Sequence, residues 1–185
     1  ATITENAPLW SQILIGVWLL GIMFLTLYTI IGFIKVSNIA RNGEKHTLNG
    51  HYRLVITEKS NITPFSTRKS IIISRDDYNS AKDLIIAHEM GHIAKKHWFD
   101  LLLSKIVTII CWFNPAAWLI AEELKSVHEY QADYEVLRGG VDIRKYQMLL
   151  IKKAVGKSFP AIANSFNHSK LKKRITMMLK SKQCK

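Results

Sequence analysis

Residues 84–97 read LIIAHEMGHIAKKH, and the fold has to be worked outward from this stretch. It sets His88, Glu89 and His92 in the order H-E-x-x-H, on apolar spacings that predict a helix beginning near Ala81. Positions i and i+4 of a helix lie one above the other, so His88 and His92 can offer imidazole nitrogens to one ion at about 2.0–2.1 Å. Glu89, adjacent to the first histidine, projects beside that ion, where a general base takes a proton from metal-bound water. Gly91 between the histidines leaves that face open to a closely packed partner. H-E-x-x-H by itself also occurs on ordinary helices, and two histidines leave a tetrahedral zinc short of a protein ligand.

The run HEYQAD at 128–133 answers that need. Glu129 and Asp133 are four residues apart on one helical face, the first able to bind zinc and the second able to hydrogen-bond a ligand histidine from behind. Alone, this spacing would describe an exposed acidic helix. Together with the upstream motif it predicts one zinc ion held by His88, His92 and Glu129. His97 and His128 are expected on the surface, pointing elsewhere. Tyr134, Arg138, His168 and Arg174 are candidates for stabilising the oxyanion of a tetrahedral intermediate.

Leu9 to Ile34 carries no charge over 26 residues. A helix of that length covers the hydrocarbon layer of roughly 30 Å with some tilt. A signal peptide is the alternative, but the residues before the run hold Glu5 and no Lys or Arg, and the run is too long. Lys35, Arg41 and Lys45 follow it, so the positive-inside rule puts everything after residue 35 in the cytoplasm.

A second apolar run, 101–121, separates the two halves of the metal motif. A single crossing of the membrane would leave Glu129 some 30 Å from His92. The run must therefore turn back. Asn114-Pro115 supplies the break, since proline removes a helical hydrogen bond and disfavours helix at the residue before it. The expectation is a membrane-associated hairpin with a bend near Trp98–Asp100. The alternative is a buried core helix of a soluble fold, because Lys105 interrupts the run.

Between the first apolar run and the motif lie two β-branched segments, 51–59 and 69–75, which predict a small antiparallel sheet. Ser80, with Asp83 three residues on, is the expected start of the motif helix. The segment from Glu122 is stopped by Gly139-Gly140, and the remainder reads as one or two basic helices. The fold class is mainly α with a small sheet, α+β, arranged as an N-terminal segment and transmembrane helix (1–35) and a metallopeptidase domain (36–185).

Charge narrows the partners. Lys and Arg number 26 against 14 Asp and Glu, net +12, and residues 143–185 hold twelve basic residues and no acidic one. No nucleic-acid-binding signature accompanies them, so a solvated or lipid-facing tail is expected and no direct nucleic-acid partner. Cys111 and Cys184 have no spacing that suggests a disulfide framework or a thiolate site.

With HEMGH (88–92), WFNPAAWLI (112–120) and HEYQADYEVL (128–137) in order, the chain resembles the membrane zinc metallopeptidases of the BlaR/MecR type over roughly residues 10–180. The resemblance implies His88, His92 and Glu129 as zinc ligands, Glu89 as general base and acid, and, through the gluzincin spacing, Asp133 as the residue that orients a ligand histidine. NHSKLKKRI (167–175) is similar to a segment of Ste24/HtpX-type proteases in which a His and an Arg approach the active site, which implies His168 and Arg174. No penicillin-binding sensor lies within these residues, so β-lactam sensing is not implied. The expected function is a membrane-bound zinc endopeptidase cutting a protein substrate, a transcriptional repressor or itself, at the cytoplasmic face. The rival from another class is a signalling scaffold that keeps zinc without turnover.

Overall fold

The computed structural model describes residues 8–48, 50–59, 62–155 and 161–183, with the side chains of 155, 161–168 and 181–183 outside that description. Helix α1 spans Leu9–Asn42, and none of its residues is buried. It is long and apolar enough to cross a membrane. It runs past Ile34 to Gly43, where a Cβ would meet the carbonyl oxygen of Ile56 at 2.8 Å and collide with the side chain of Val55. The end of α1 is thus laid directly on the sheet that follows.

That sheet has four strands, β1 (Glu44–Leu48), β2 (Tyr52–Thr57), β3 (Phe65–Ser66) and β4 (Ser70–Ser74), in the order β1-β2-β4-β3. The expectation of a small sheet holds, but the sheet is mixed rather than antiparallel, because β2 and β4 pair in parallel with Leu54 opposite Ile71 and Ile56 opposite Ile73. The chain returns to the start of β4 through β3, which folds back antiparallel on the outer edge. A hairpin would have left β4 facing the other way. Strand β1 was hidden in the polar connector: Glu44–Thr47 are all exposed, so no alternation marks them. The apolar positions Leu54, Ile56, Ile71 and Ile73 pack with Ile85 and Ile93 of the next helix, forming the core that fixes the motif helix on the sheet.

Helix α2 spans Arg75–Ala94 and starts six residues earlier than a cap at Ser80 would have it. Ser74, the last residue of β4, caps it by accepting from the Asp77 amide at 3.2 Å, and Asp76 and Asp77 complement the helix dipole. Ala81, with φ −155° and ψ 34°, kinks the helix where the sequence suggested a start. The break after the motif falls at Lys95–Lys96 rather than Trp98–Asp100. Lys96 takes a left-handed conformation (φ 58°) and the chain re-enters a helix at once.

Helix α3 (His97–Ile110) and helix α4 (Pro115–Arg138) form the anticipated hairpin. Asn114 caps α4 by accepting from the Ala116 amide at 2.9 Å, and Pro115 occupies the first turn, where its missing N–H costs nothing. The tip rests on α1. Trp18 donates to the Ile110 carbonyl at 2.9 Å, Trp112 to the Trp18 carbonyl at 3.3 Å and Trp118 to the Trp112 carbonyl at 3.0 Å. The Trp112 ring fills the space a side chain at Gly21 would need. Helices α5 (Ile143–Val155) and α6 (Ala161–Gln183) close over α4, with Tyr146, Val136 and Met178 as their shared core.

Candidate metal centre

The centre forms where α2 and α4 cross. Gly91 makes the crossing close: a Cβ there would lie 3.2 Å from the Cα of Ala132. Ala132 sits between Glu129 and Asp133 in α4, so this one contact brings both carboxylates to the histidine face of α2. His88 Nε2 and His92 Nε2 are 3.3 Å apart, Glu129 Oε2 is 3.5 Å from the first and Glu129 Oε1 3.6 Å from the second. A tetrahedral ion bound at 2.0–2.1 Å requires donor separations of about 3.3–3.4 Å, so two imidazoles and a carboxylate in this triangle fit a metal with little movement.

Behind the triangle, each histidine is held by its other nitrogen. Tyr146 donates its hydroxyl to Asp133 Oδ1 at 2.7 Å and lies 2.8 Å from His88 Nδ1, with Asp133 Oδ1 itself 3.4 Å from that nitrogen. The tyrosine oxygen therefore accepts from His88 Nδ1–H, so the neutral ring, once it gives up its second proton, has its lone pair on Nε2, facing the triangle. Asp133 thus lies behind His88, on the side away from the triangle. Tyr146 was missed, since nothing local in IRKYQMLL separates a buried anchor from an ordinary helix residue.

Arg174 does reach the site, but as a clamp. Its Nε and Nη2 hold the two oxygens of Asp133 at 2.8 and 2.6 Å, and its Nη1 holds Glu129 Oε2 at 2.8 Å. These contacts use three of the five guanidinium N–H groups. His168 lies among the residues whose side chains fall outside the description. Tyr134 is exposed, and Arg138 pairs on the surface with Glu135 at 3.6 Å.

His97 and His128 are corrections: both are buried, at 2% and 4% exposure. The left-handed turn at Lys96 resets the helical phase, so His97 opens α3 underneath His92 instead of continuing round α2. Its Nδ1 is 2.8 Å from His92 Nδ1, its Nε2 is 2.8 Å from Gln131 Oε1, and its ring stacks on His128 at 3.9 Å. His128 Nε2 in turn meets Asp100 Oδ2 at 3.2 Å.

Charge in the cluster is unevenly shared. Burial opposes a proton on His88, but the adjacent Asp133 and Glu129 carboxylates overcome it and raise its pKa to about 9. Burial and the neighbouring His88 charge push His92 down to about 4. Burial likewise lowers His97. Glu129 and Asp133 both fall to about 2: burial works against ionisation, and contacts with His88 and Arg174 outweigh it. Glu89 goes the other way. It is 6% exposed, and burial raises its pKa, with a hydrogen bond to Ser66 of β3 only partly offsetting this.

A histidine pair, a carboxylate with its own anchors, and a separate carboxyl of raised pKa form a pattern with known counterparts. The BlaR1 peptidase M56 family model matches residues 2–178. The chain belongs to that family. It is also 26% identical over 144 residues to the regulatory protein BlaR1 of Bacillus licheniformis, a match covering 66% of this chain and 24% of the relative, so the chain spans about a quarter of that relative's length. Membership of an M56 metallopeptidase family implies a metal, and His88, His92 and Glu129 are the group among the described residues that could hold one.

Proposed function

We propose that this chain is the membrane-anchored catalytic unit of a zinc endopeptidase in regulated proteolysis. The observation that carries the reading is the donor triangle of His88, His92 and Glu129 at tetrahedral spacing, with Glu89 one residue from the first donor and outside the triangle. Zinc, when bound, supplies Lewis acidity toward the scissile carbonyl and acidifies water. The chain's own residues do the rest. Asp133 and Tyr146 keep His88 in its metal-binding tautomer, and Arg174 holds Asp133 and Glu129 in place. Glu89, with its pKa raised by burial, takes the proton of the attacking water and returns it to the leaving amine.

The substrate reaches Glu89 along β3. This two-residue strand is the outer edge of the sheet and its Ser66 touches Glu89, so an extended peptide added to that edge passes beside the general base. The substrate is a protein segment, from a transcriptional repressor or from the chain itself. The BlaR/MecR resemblance and the regulatory name of the relative support this choice.

In this reading α1 crosses the bilayer with Lys35 and Arg41 on the cytoplasmic side, and the hairpin dips into the same leaflet. Its tip meets α1 at Trp18 and Gly21, near the middle of the uncharged stretch, and its arms expose Leu102, Val107, Phe113, Leu119 and Ile120. Burying such side chains in lipid is favourable by about 25 cal/mol per Å² of apolar surface.

The rival, a zinc-containing scaffold without turnover, has no use for a buried Glu89 beside the donors. Glu89→Gln separates the two: it keeps shape and metal, and cleavage of casein or of the chain itself should fall by orders of magnitude. Equal cleavage by wild type and variant would remove the enzyme reading.

A further inference from the structure

We propose that His97 and Gln131 form a hydrogen-bonded relay that locks His92 in the tautomer whose Nε2 lone pair faces the metal, and that this relay sets metal affinity. The inference rests on the reading of His88, His92 and Glu129 as metal donors, and adds two positioning residues to it. Gln131 supplies the fixed point. Its Oε1 lies 2.8 Å from His97 Nε2, and a carbonyl oxygen can only accept, so His97 carries its proton on Nε2.

A neutral imidazole has one donor and one acceptor, so His97 Nδ1 is left as an acceptor. Its partner at 2.8 Å is His92 Nδ1, which must therefore carry a proton. The lone pair of His92 is then on Nε2, the atom 3.3 Å from His88 Nε2 and 3.6 Å from Glu129 Oε1. Reversing the first bond would reverse every later one and put N–H of His92 into the donor triangle, where no cation could bind it.

The relay also ties three helices together. His92 belongs to α2, His97 to the first turn of α3 and Gln131 to α4, two residues beyond Glu129. The helix that delivers the carboxylate donor thus also delivers the group that orients the opposite histidine. The stacking of His97 on His128, with ring planes 11° apart, fixes the ring's plane without contributing a hydrogen bond to it. His88 has its own anchor in Tyr146 and Asp133, so each histidine donor is set by a separate network.

The test uses the full chain in detergent, with zinc affinity read by competition against a chromogenic chelator and cobalt substitution read by visible absorption. His97→Leu removes the acceptor and should weaken zinc binding by about 10–100-fold, the usual cost of losing an outer partner of a ligand histidine. His97→Asn restores an acceptor oxygen toward His92 and should stay within about threefold of wild type. Gln131→Met, at a position with an exposed outer edge, frees the His97 tautomer and should cost on the order of tenfold. In the metal-free wild type, long-range proton–nitrogen NMR should find His92 protonated at Nδ1 and His97 at Nε2. A His92 protonated at Nε2 overturns the relay, as does wild-type zinc affinity in Gln131→Met. If the wild type itself binds no stoichiometric zinc while Glu129→Ala behaves identically, the metal reading fails and the relay with it. Stoichiometric binding that is lost in Glu129→Ala but unchanged in the relay variants removes the relay alone.

Discussion

Gly91 and Ala132 touch backbone to backbone: a Cβ on the glycine would stand 3.2 Å from the Cα of Ala132 and 3.5 Å from its Cβ and carbonyl oxygen. The atoms in the way are main chain or the Cβ fixed to it and cannot swing aside, so a side chain at 91 pushes α2 and α4 apart. The donor triangle straddles that contact. Gly91→Ala has opposed effects on stability, a helix-propensity gain of up to about 1 kcal/mol against overpacking of about 1–3 kcal/mol. Its net change in stability should be small. Metal affinity has no such offset and should drop by on the order of tenfold, with Gly91→Val losing more. Thermal melts of the metal-free forms and chelator competition on each variant check this; unaltered affinity in Gly91→Val would mean the crossing does not set the triangle.

Metal binding should release a proton at neutral pH. His88 keeps its proton up to about pH 9 in the metal-free protein, and only the neutral ring can bind a cation. Calorimetric titration with zinc in buffers of different ionisation enthalpy should therefore report release of about one proton at pH 7, fading above pH 9. The same pKa values act on stability in two windows. His92, lowered to about 4, makes the metal-free fold gain stability as pH rises from there toward the unfolded value near 6.5. His88, raised to about 9, contributes stability present below about pH 6.5 and lost as pH climbs through 9. Melting temperature against pH for the metal-free protein should thus fall across that upper window, and the fall should vanish in His88→Gln.

Tyr146 links α5 to the site through a single oxygen that donates to Asp133 and accepts from His88. Tyr146→Phe leaves His88 Nδ1–H facing only Asp133 Oδ1 at 3.4 Å, beyond good hydrogen-bond range. The variant should lose about 1–2 kcal/mol of stability and on the order of tenfold in metal affinity. Denaturant unfolding and chelator competition give both values. Loss of stability with full affinity would make Tyr146 a packing residue only.

Single cysteines at Lys96, Asn114 and Lys125, with Cys111 and Cys184 replaced, probe the hairpin in sealed and opened vesicles. Lys96 and Lys125 are both exposed and should label from one side, the cytoplasmic one, whereas position 114 at the tip should be shielded by lipid. Labelling of 114 as fast as 125 in sealed vesicles would put the hairpin in water.

The sequence by itself determined the parts whose signal is local. H-E-x-x-H at helical spacing, E-x-x-x-D two helices later, an uncharged 26-residue run and a proline in the second apolar run are each read from one contiguous stretch of chain. The hairpin followed as well, because His92 and Glu129 could share an ion only if residues 101–121 doubled back. Tertiary structure alone decided what faces the back of the site. Tyr146 is 58 residues from His88 and Arg174 is 41 from Asp133, and helical periodicity carries no information across such distances. The parallel pairing of β2 with β4 was likewise invisible, since the apolar faces of both strands read the same in either direction. His97 was misjudged because a left-handed residue at Lys96, which no glycine announced, changed the phase of α3 and turned it toward the donors, and His128 on α4 is covered in turn by the stacked His97 ring.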